Sequence, residues 1–198
     1  MTSRLIGVCI LALLWPEVAE AHLVTTGLGP LYDGISHVLI SVEDLLPILA
    51  LALLAGLNGA AAGRRMLFGV CFAWLAGGVG GFWVGENLWP EATVCVSLIT
   101  LGGLTAADQK LSPTLAMQLA VIIGLLHGWL NGVALVSTQQ GLLGLVGIVT
   151  TVFVLVAIVT AGVICLRRGW TRIIVRVAGS WGAATGLLLL GWNLKGMT

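Results

Sequence analysis

Charge is what this chain lacks most. Of its 198 residues only 9% are Asp, Glu, Lys or Arg, against about 25% in an ordinary soluble domain. Hydrophobic residues make up 59%, and the mean hydropathy is +1.09. So few charges cannot solvate the surface of a soluble protein of this size. That excludes a cytosolic enzyme, a disordered chain and any large domain outside a membrane. A net charge of +1 without a basic stripe excludes a nucleic-acid binder. Cysteine is scarce too. Cys9, Cys71, Cys95 and Cys165 each lie in an apolar run and form no Cys-x-x-Cys pair. This argues against a disulfide framework or a thiolate zinc site, and they read as small buried hydrophobes. No nucleotide-binding loop is visible. One small integral membrane domain remains.

Residues 1–21 read as a secretory signal peptide. Arg4 supplies the positive end, Leu5 to Trp15 is an eleven-residue apolar run, and Ala19-Glu20-Ala21 is a cleavage site. Eleven residues reach about 16 Å as a helix, too little for a bilayer core of about 30 Å. Cleavage leaves His22 at the mature N-terminus, and residues 22–198 form a single all-α domain. Its uncharged stretches predict six transmembrane helices, near 42–63, 66–85, 91–107, 113–136, 141–166 and 173–194. With both termini outside, Arg64, Arg65, Lys110, Arg167, Arg168, Arg172 and Arg176 fall inside and only Lys195 falls outside. That is the positive-inside bias of a multi-pass protein in a lipid bilayer.

Glycine is abundant, at 28 residues. Gly77, Gly81 and Gly85 recur every fourth position, as do Gly124, Gly128 and Gly132. Such stripes bring helix backbones together in lipid, either within the chain or against a homo-oligomer or membrane partner. The spans also divide three and three, each half with a histidine near its first helix, which is the pattern of a 3+3 inverted repeat.

Polar groups inside a membrane are costly, and so they mark candidate sites. On a continuous helix Asp33, His37, Ser41 and Asp44 share one face. Carboxylate and imidazole together suit a divalent transition metal. Pro47 frees the Glu43 carbonyl beside them. Alternatively Ser41-Val42-Glu43-Asp44 is a capping box that opens a helix, and Asp44 is then a cap and not a ligand. His127 has apolar neighbours on both sides, with Asn131 one turn further on. It lies about 13 Å deep at 1.5 Å per residue, within reach of the first cluster. At His22, a free α-amine beside an imidazole would chelate Cu(II) or Ni(II).

These motifs resemble the HupE/UreJ family, the small nickel permeases and urease or hydrogenase accessory membrane proteins. The family's H-P-x-x-G-x-D-H aligns with His37-Val38-Leu39-Ile40-Ser41-Val42-Glu43-Asp44. Glu43 replaces the aspartate, and Asp44 stands where the second histidine is expected. The family's H-G-x-A-H-G-x-E aligns with His127-Gly128-Trp129-Leu130-Asn131-Gly132-Val133-Ala134, where Asn131 replaces a histidine and Ala134 the glutamate. The resemblance implies a non-enzymatic permease of the bacterial inner membrane. It takes up a divalent transition metal from the periplasm, nickel first, with cobalt, zinc or copper as alternatives. The motif positions put His37, Glu43, Asp44, His127 and Asn131 in the implied metal site, and the residue chemistry above adds Asp33 and His22 to the candidate ligands. The alternative is a non-transporting accessory subunit for metalloenzyme maturation. Two missing imidazoles leave a donor set richer in oxygen than the family's own.

Overall fold

The computed structural model describes residues 26–86, 90–138, 141–166 and 169–196. Seven helices and no strand occur among them: α1 Pro30–Ile40, α2 Val42–Leu57, α3 Ala60–Val84, α4 Pro90–Ala106, α5 Pro113–Thr138, α6 Gly141–Cys165 and α7 Gly169–Gly196. The expected signal peptide at 1–21 and His22 lie outside the described residues.

Local chemistry sets the ends. Proline opens α1, α4 and α5, at a position where the helix has no use for the missing N–H. The α3 helix ends at Gly85, whose φ of 73° is the left-handed cap that glycine adopts without strain, and its N–H bonds to the Gly81 carbonyl. Helices α3, α5, α6 and α7 are each long and apolar enough to cross a membrane. The α1–α2 pair passes the same test as one span but is bent by 73°. Helix α4 is apolar but has 17 residues, about 25 Å of rise.

Three expectations change here. The first span does not run unbroken over 42–63. It stops at Leu57, and Gly59, at φ 87°, turns the chain into α3 at Ala60. Arg64 and Arg65 therefore sit inside α3, not in a loop, and Arg172 and Arg176 likewise fall inside α7. Arginine carries its charge on a long apolar stem that reaches the interface from within a helix, so uncharged stretches understate helix length. The shared face of Asp33, His37, Ser41 and Asp44 is also broken. Ser41 is extended (φ −71°, ψ 104°), α1 ends before it, and α2 leaves in a new direction.

Close backbone approach holds the bundle together. Helix α3 packs most extensively on α5, α4 on α7, and the α1–α2 pair on α6. A Cβ on Gly128 would meet the Trp74 backbone, one on Gly132 would meet Gly78, one on Gly77 would meet Leu125, and one on Gly81 would meet Trp129. Both predicted stripes thus meet each other within the chain. Gly34 against Gly144 does the same for α1 and α6, and Gly102 against Gly179 for α4 and α7. Around these seams Met66, Trp74, Leu51, Leu54, Ile148 and Val152 form a dry core.

One end of the bundle is tied by polar bonds. Lys110 Nζ donates to the Leu57 carbonyl at 2.5 Å, and the Leu111 N–H donates to Asn58 Oδ1 at 2.8 Å. Arg172 grips Asp108 through two bonds of 2.6 and 2.5 Å, and Arg176 donates to the Ala106 carbonyl at 2.9 Å. The end of α2, the α4–α5 turn and the start of α7 are therefore fastened together.

Candidate functional site

Five helices deliver polar side chains to one buried place. Asp44 on α2 is 4% exposed and accepts from three directions. His127 Nδ1 on α5 lies 3.2 Å from its Oδ1. Asn131 Nδ2, one turn along α5, donates to Oδ2 at 2.8 Å. His37 Nε2 on α1 is 3.3 Å from the same Oδ2. The α1–α2 bend makes this last contact, because it folds His37 back over the first turn of α2. Asp44 is therefore not capping backbone, and Ser41 makes no side-chain cap either.

Two further residues complete the network, and sequence reasoning missed both. Ser97 Oγ on α4 is 3.1 Å from His127 Nε2. Trp74 on α3 is fully buried and stacks on the His127 ring, with centroids 5.5 Å apart and planes 30° from parallel. Its indole N–H donates to Asn131 Oδ1 at 3.3 Å. That bond fixes the amide, with oxygen toward Trp74 and nitrogen toward Asp44, so the Asn131 oxygen is already engaged. A carboxylate only accepts, so His127 Nδ1 carries a proton, and Nε2 exchanges its bond with the Ser97 hydroxyl. Ser97 carried no sequence signal, since it is a lone hydroxyl in an apolar run. Trp74 read as core.

The remaining expected residues lie apart. Asp33 is buried, but its Oδ1 takes two bonds of 2.6 Å from Thr26, one from N–H and one from the hydroxyl. It pins the chain ahead of α1. Glu43 is exposed and turned away from Asp44. With Val42, Glu91, Cys95 and Asn193 it lines a groove of about 490 Å³ between α2, α4 and α7. Among the described residues no three His, Cys, Asp or Glu side chains form a ready metal shell. His37 and His127 address different oxygens of Asp44, so the cluster is a hydrogen-bonded network. A cation would have to exchange places with those bonds. His37, with 12% of its side chain exposed, is the member nearest water.

An all-helical, multi-pass membrane protein with an ionisable network in its core is the class these features define. Within that class, the family model described as HupE / UreJ protein matches residues 10–189, and the chain belongs to this family. The family is linked to nickel or cobalt transport and to urease and hydrogenase accessory roles, and is not known for catalysis. No curated protein and no solved structure matches the chain.

Proposed function

We propose that this chain is an inner-membrane permease for a divalent transition metal, nickel first, taken up from the periplasmic side through His37, Asp44 and His127. The observation that carries the reading is Asp44, a carboxylate buried among apolar helices with an imidazole on each oxygen. Ionisable groups at membrane depth mark ion pathways. This one joins the slightly exposed His37 to the fully buried His127. Its contacts with the two imidazoles, at 3.2 to 3.3 Å, are exchangeable, and a conducting site must release its ion as well as take it. The exposed carboxylate of Glu43 would attract cations to the same end.

Six crossings suit this reading, with the bent pair first and α4 as a short third. The closest pairings are then second with fourth, third with sixth, and first with fifth. Exchanging crossings 1–3 for 4–6 maps that set onto itself, as an inverted repeat requires. Lys110, Arg172 and Arg176 gather at the tied end, which the positive-inside rule assigns to the cytoplasm. The termini are then periplasmic. The second reading is an accessory subunit, and it is favoured by the bonding of Asp44, whose two oxygens are both already taken by side chains, as a structural network requires.

Uptake into proteoliposomes separates the two. Nickel, cobalt, zinc, copper and manganese are compared for wild type and His127→Ala. Selective uptake that the variant loses is the expected result. Folded, oriented wild-type protein that moves no metal overturns the permease and leaves the accessory subunit.

A further inference from the structure

The groove of about 490 Å³ between α2, α4 and α7 shares no residue with the Asp44 network. Its volume lies within the range of about 300–1,000 Å³ that small-ligand sites occupy. Helices α4 and α7 pack closely, and a Cβ on Gly186 of α7 would meet the Leu98 side chain and the Cys95 carbonyl of α4. Helix α2 packs on α4 but only lightly on α7, and the groove is the space this leaves. Its mouth is at the start of α4, the end remote from Lys110 and Arg172. Glu43 and Glu91 stand there, both exposed, and neither carboxylate makes a hydrogen bond or ion pair among the described residues. Leu98, eight residues along α4 from Pro90, is about 12 Å deeper, with Leu46 and Val94 on the way to it. The groove also opens sideways, since Val42 and Leu189 on its rim are 62% and 41% exposed.

We propose that this groove holds one phospholipid whose headgroup ends in a primary ammonium, with the ammonium at Glu43 and Glu91 and the start of an acyl chain against Leu46, Val94 and Leu98. The inference does not depend on the permease reading. Charge at the mouth, apolar walls beneath and a side open to the bilayer together match a lipid and not a solute from water. The carboxylates select the head. No lysine or arginine lines the groove among the described residues, so the pair attracts a cation and repels an anionic headgroup. A primary ammonium carries three N–H donors and serves two carboxylates at once. A quaternary ammonium has none and is ordinarily caged by aromatic rings, and no aromatic side chain lines this groove among the described residues. A bare divalent metal fits less well, because no three His, Cys, Asp or Glu side chains among the described residues stand close enough to hold one.

A headgroup phosphate needs a donor, and Asn193 on the α7 wall offers one. Its Nδ2 donates to the Cys95 sulfur at 3.7 Å. A thiol sulfur is a weak acceptor and a phosphate oxygen a strong one, so the amide loses little by turning to the lipid. A lipid so placed fastens α2 to α7 at the mouth, as the polar bonds of the tied end fasten the helices at the other.

The test is native mass spectrometry of the full-length protein, released from nanodiscs of phosphatidylethanolamine, phosphatidylcholine and phosphatidylglycerol in equal parts. Wild type is expected to retain one phosphatidylethanolamine, favoured over phosphatidylcholine by about tenfold. Glu43→Gln/Glu91→Gln should lose that preference. Both glutamates are exposed, so this variant should keep the wild-type circular dichroism. Glu86→Gln removes another exposed carboxylate at the same end, outside the groove, and should keep the preference. Leu189→Trp narrows the groove from its lipid side and should lower retention with both carboxylates in place. Equal retention of the three lipids, or a preference that the double variant keeps, overturns the proposal. Glycerophosphoethanolamine, the same headgroup without its chains, should not displace the lipid at equal concentration. Displacement would make the ligand a dissolved amine and overturn the lipid. Loss of a wild-type dimer in the double variant, with no lipid retained by either, would assign the groove to a second copy and overturn it too.

Discussion

Consider adding one methyl group at Gly128. The residue follows His127 on α5 and faces α3. A Cβ built there stands 2.8 Å from both the carbonyl carbon and the Cα of Trp74 and closer still to its oxygen. These are backbone atoms of a helix and cannot rotate aside. Ordinary carbon contacts lie at about 3.5 Å or more, so α5 must retreat from α3 by roughly 1 Å. Overpacking of this kind costs about 1–3 kcal/mol, and a rigid backbone neighbour argues for the upper half of that range. The retreat also parts Trp74 from Asn131, whose bond is already 3.3 Å long. Gly103→Ala is the control. It adds the same methyl in the same kind of helix, but nothing lies within 4 Å of it. There the change should be neutral, or stabilising by about 0.5 kcal/mol. Unfolding of the two purified variants in mixed detergent and SDS, followed by circular dichroism, reads the difference. Cobalt binding reads the consequence for the cluster. If Gly128→Ala unfolds at the same SDS fraction as Gly103→Ala, the close α3–α5 seam is wrong.

Two further predictions follow from polar contacts. Trp74→Phe keeps a ring against His127 but leaves the Asn131 oxygen unsatisfied. It should cost about 1–3 kcal/mol in the same unfolding assay, and a cost near zero would deny the amide its anchor. At the tied end, two bonds from Arg172 hold the Asp108 carboxyl below the usual aspartate range, with Lys110 and Arg176 adding to the effect. A lowered folded-state value means stability that is present above the unfolded pKa and lost as pH falls through the folded one. The pair is partly solvated, so its share is no more than about 1 kcal/mol. The unfolding midpoint should be flat from neutral pH down to about pH 4 and fall below it. Arg172→Gln should remove this acid step, and an identical acid profile in that variant would show that other carboxylates set it.

Much of this was legible from residue spacing, and the exceptions have physical causes. The i, i+4 pair His127 and Asn131 needed only helix periodicity to share a face. The glycine stripes needed only their four-residue repeat, and α5 and α6 end where their polar turns suggested. A helix start at Ser41 was one of two readings the sequence allowed, but the helix before it and the 73° bend between them left no mark, because neither glycine nor proline stands there and Pro47 lies beyond it within the second helix. That bend brings His37 to Asp44 and leaves Asp33 fastened to Thr26. Ser97 and Trp74 were invisible for another reason. Their roles arise from helix neighbours far away in sequence, and one chain read along its length carries no pairing information. Arg64, Arg65, Arg172 and Arg176 misled in the opposite direction, since charge marks where a side chain ends and not where a helix does.

The position of Asp44 also bears on how the protein is made. His127 and Asn131 follow it by 83 and 87 residues. At about 5–20 residues per second, the ribosome needs roughly 4–17 s to deliver them. Through that interval the first segments enter the bilayer with a carboxylate whose only cluster partner yet synthesised is His37, seven residues earlier. The bend supplies that partner at once and holds it in place. Of the side chains that bond Asp44 in the finished fold, His37 is thus the one that needs no later segment to reach it.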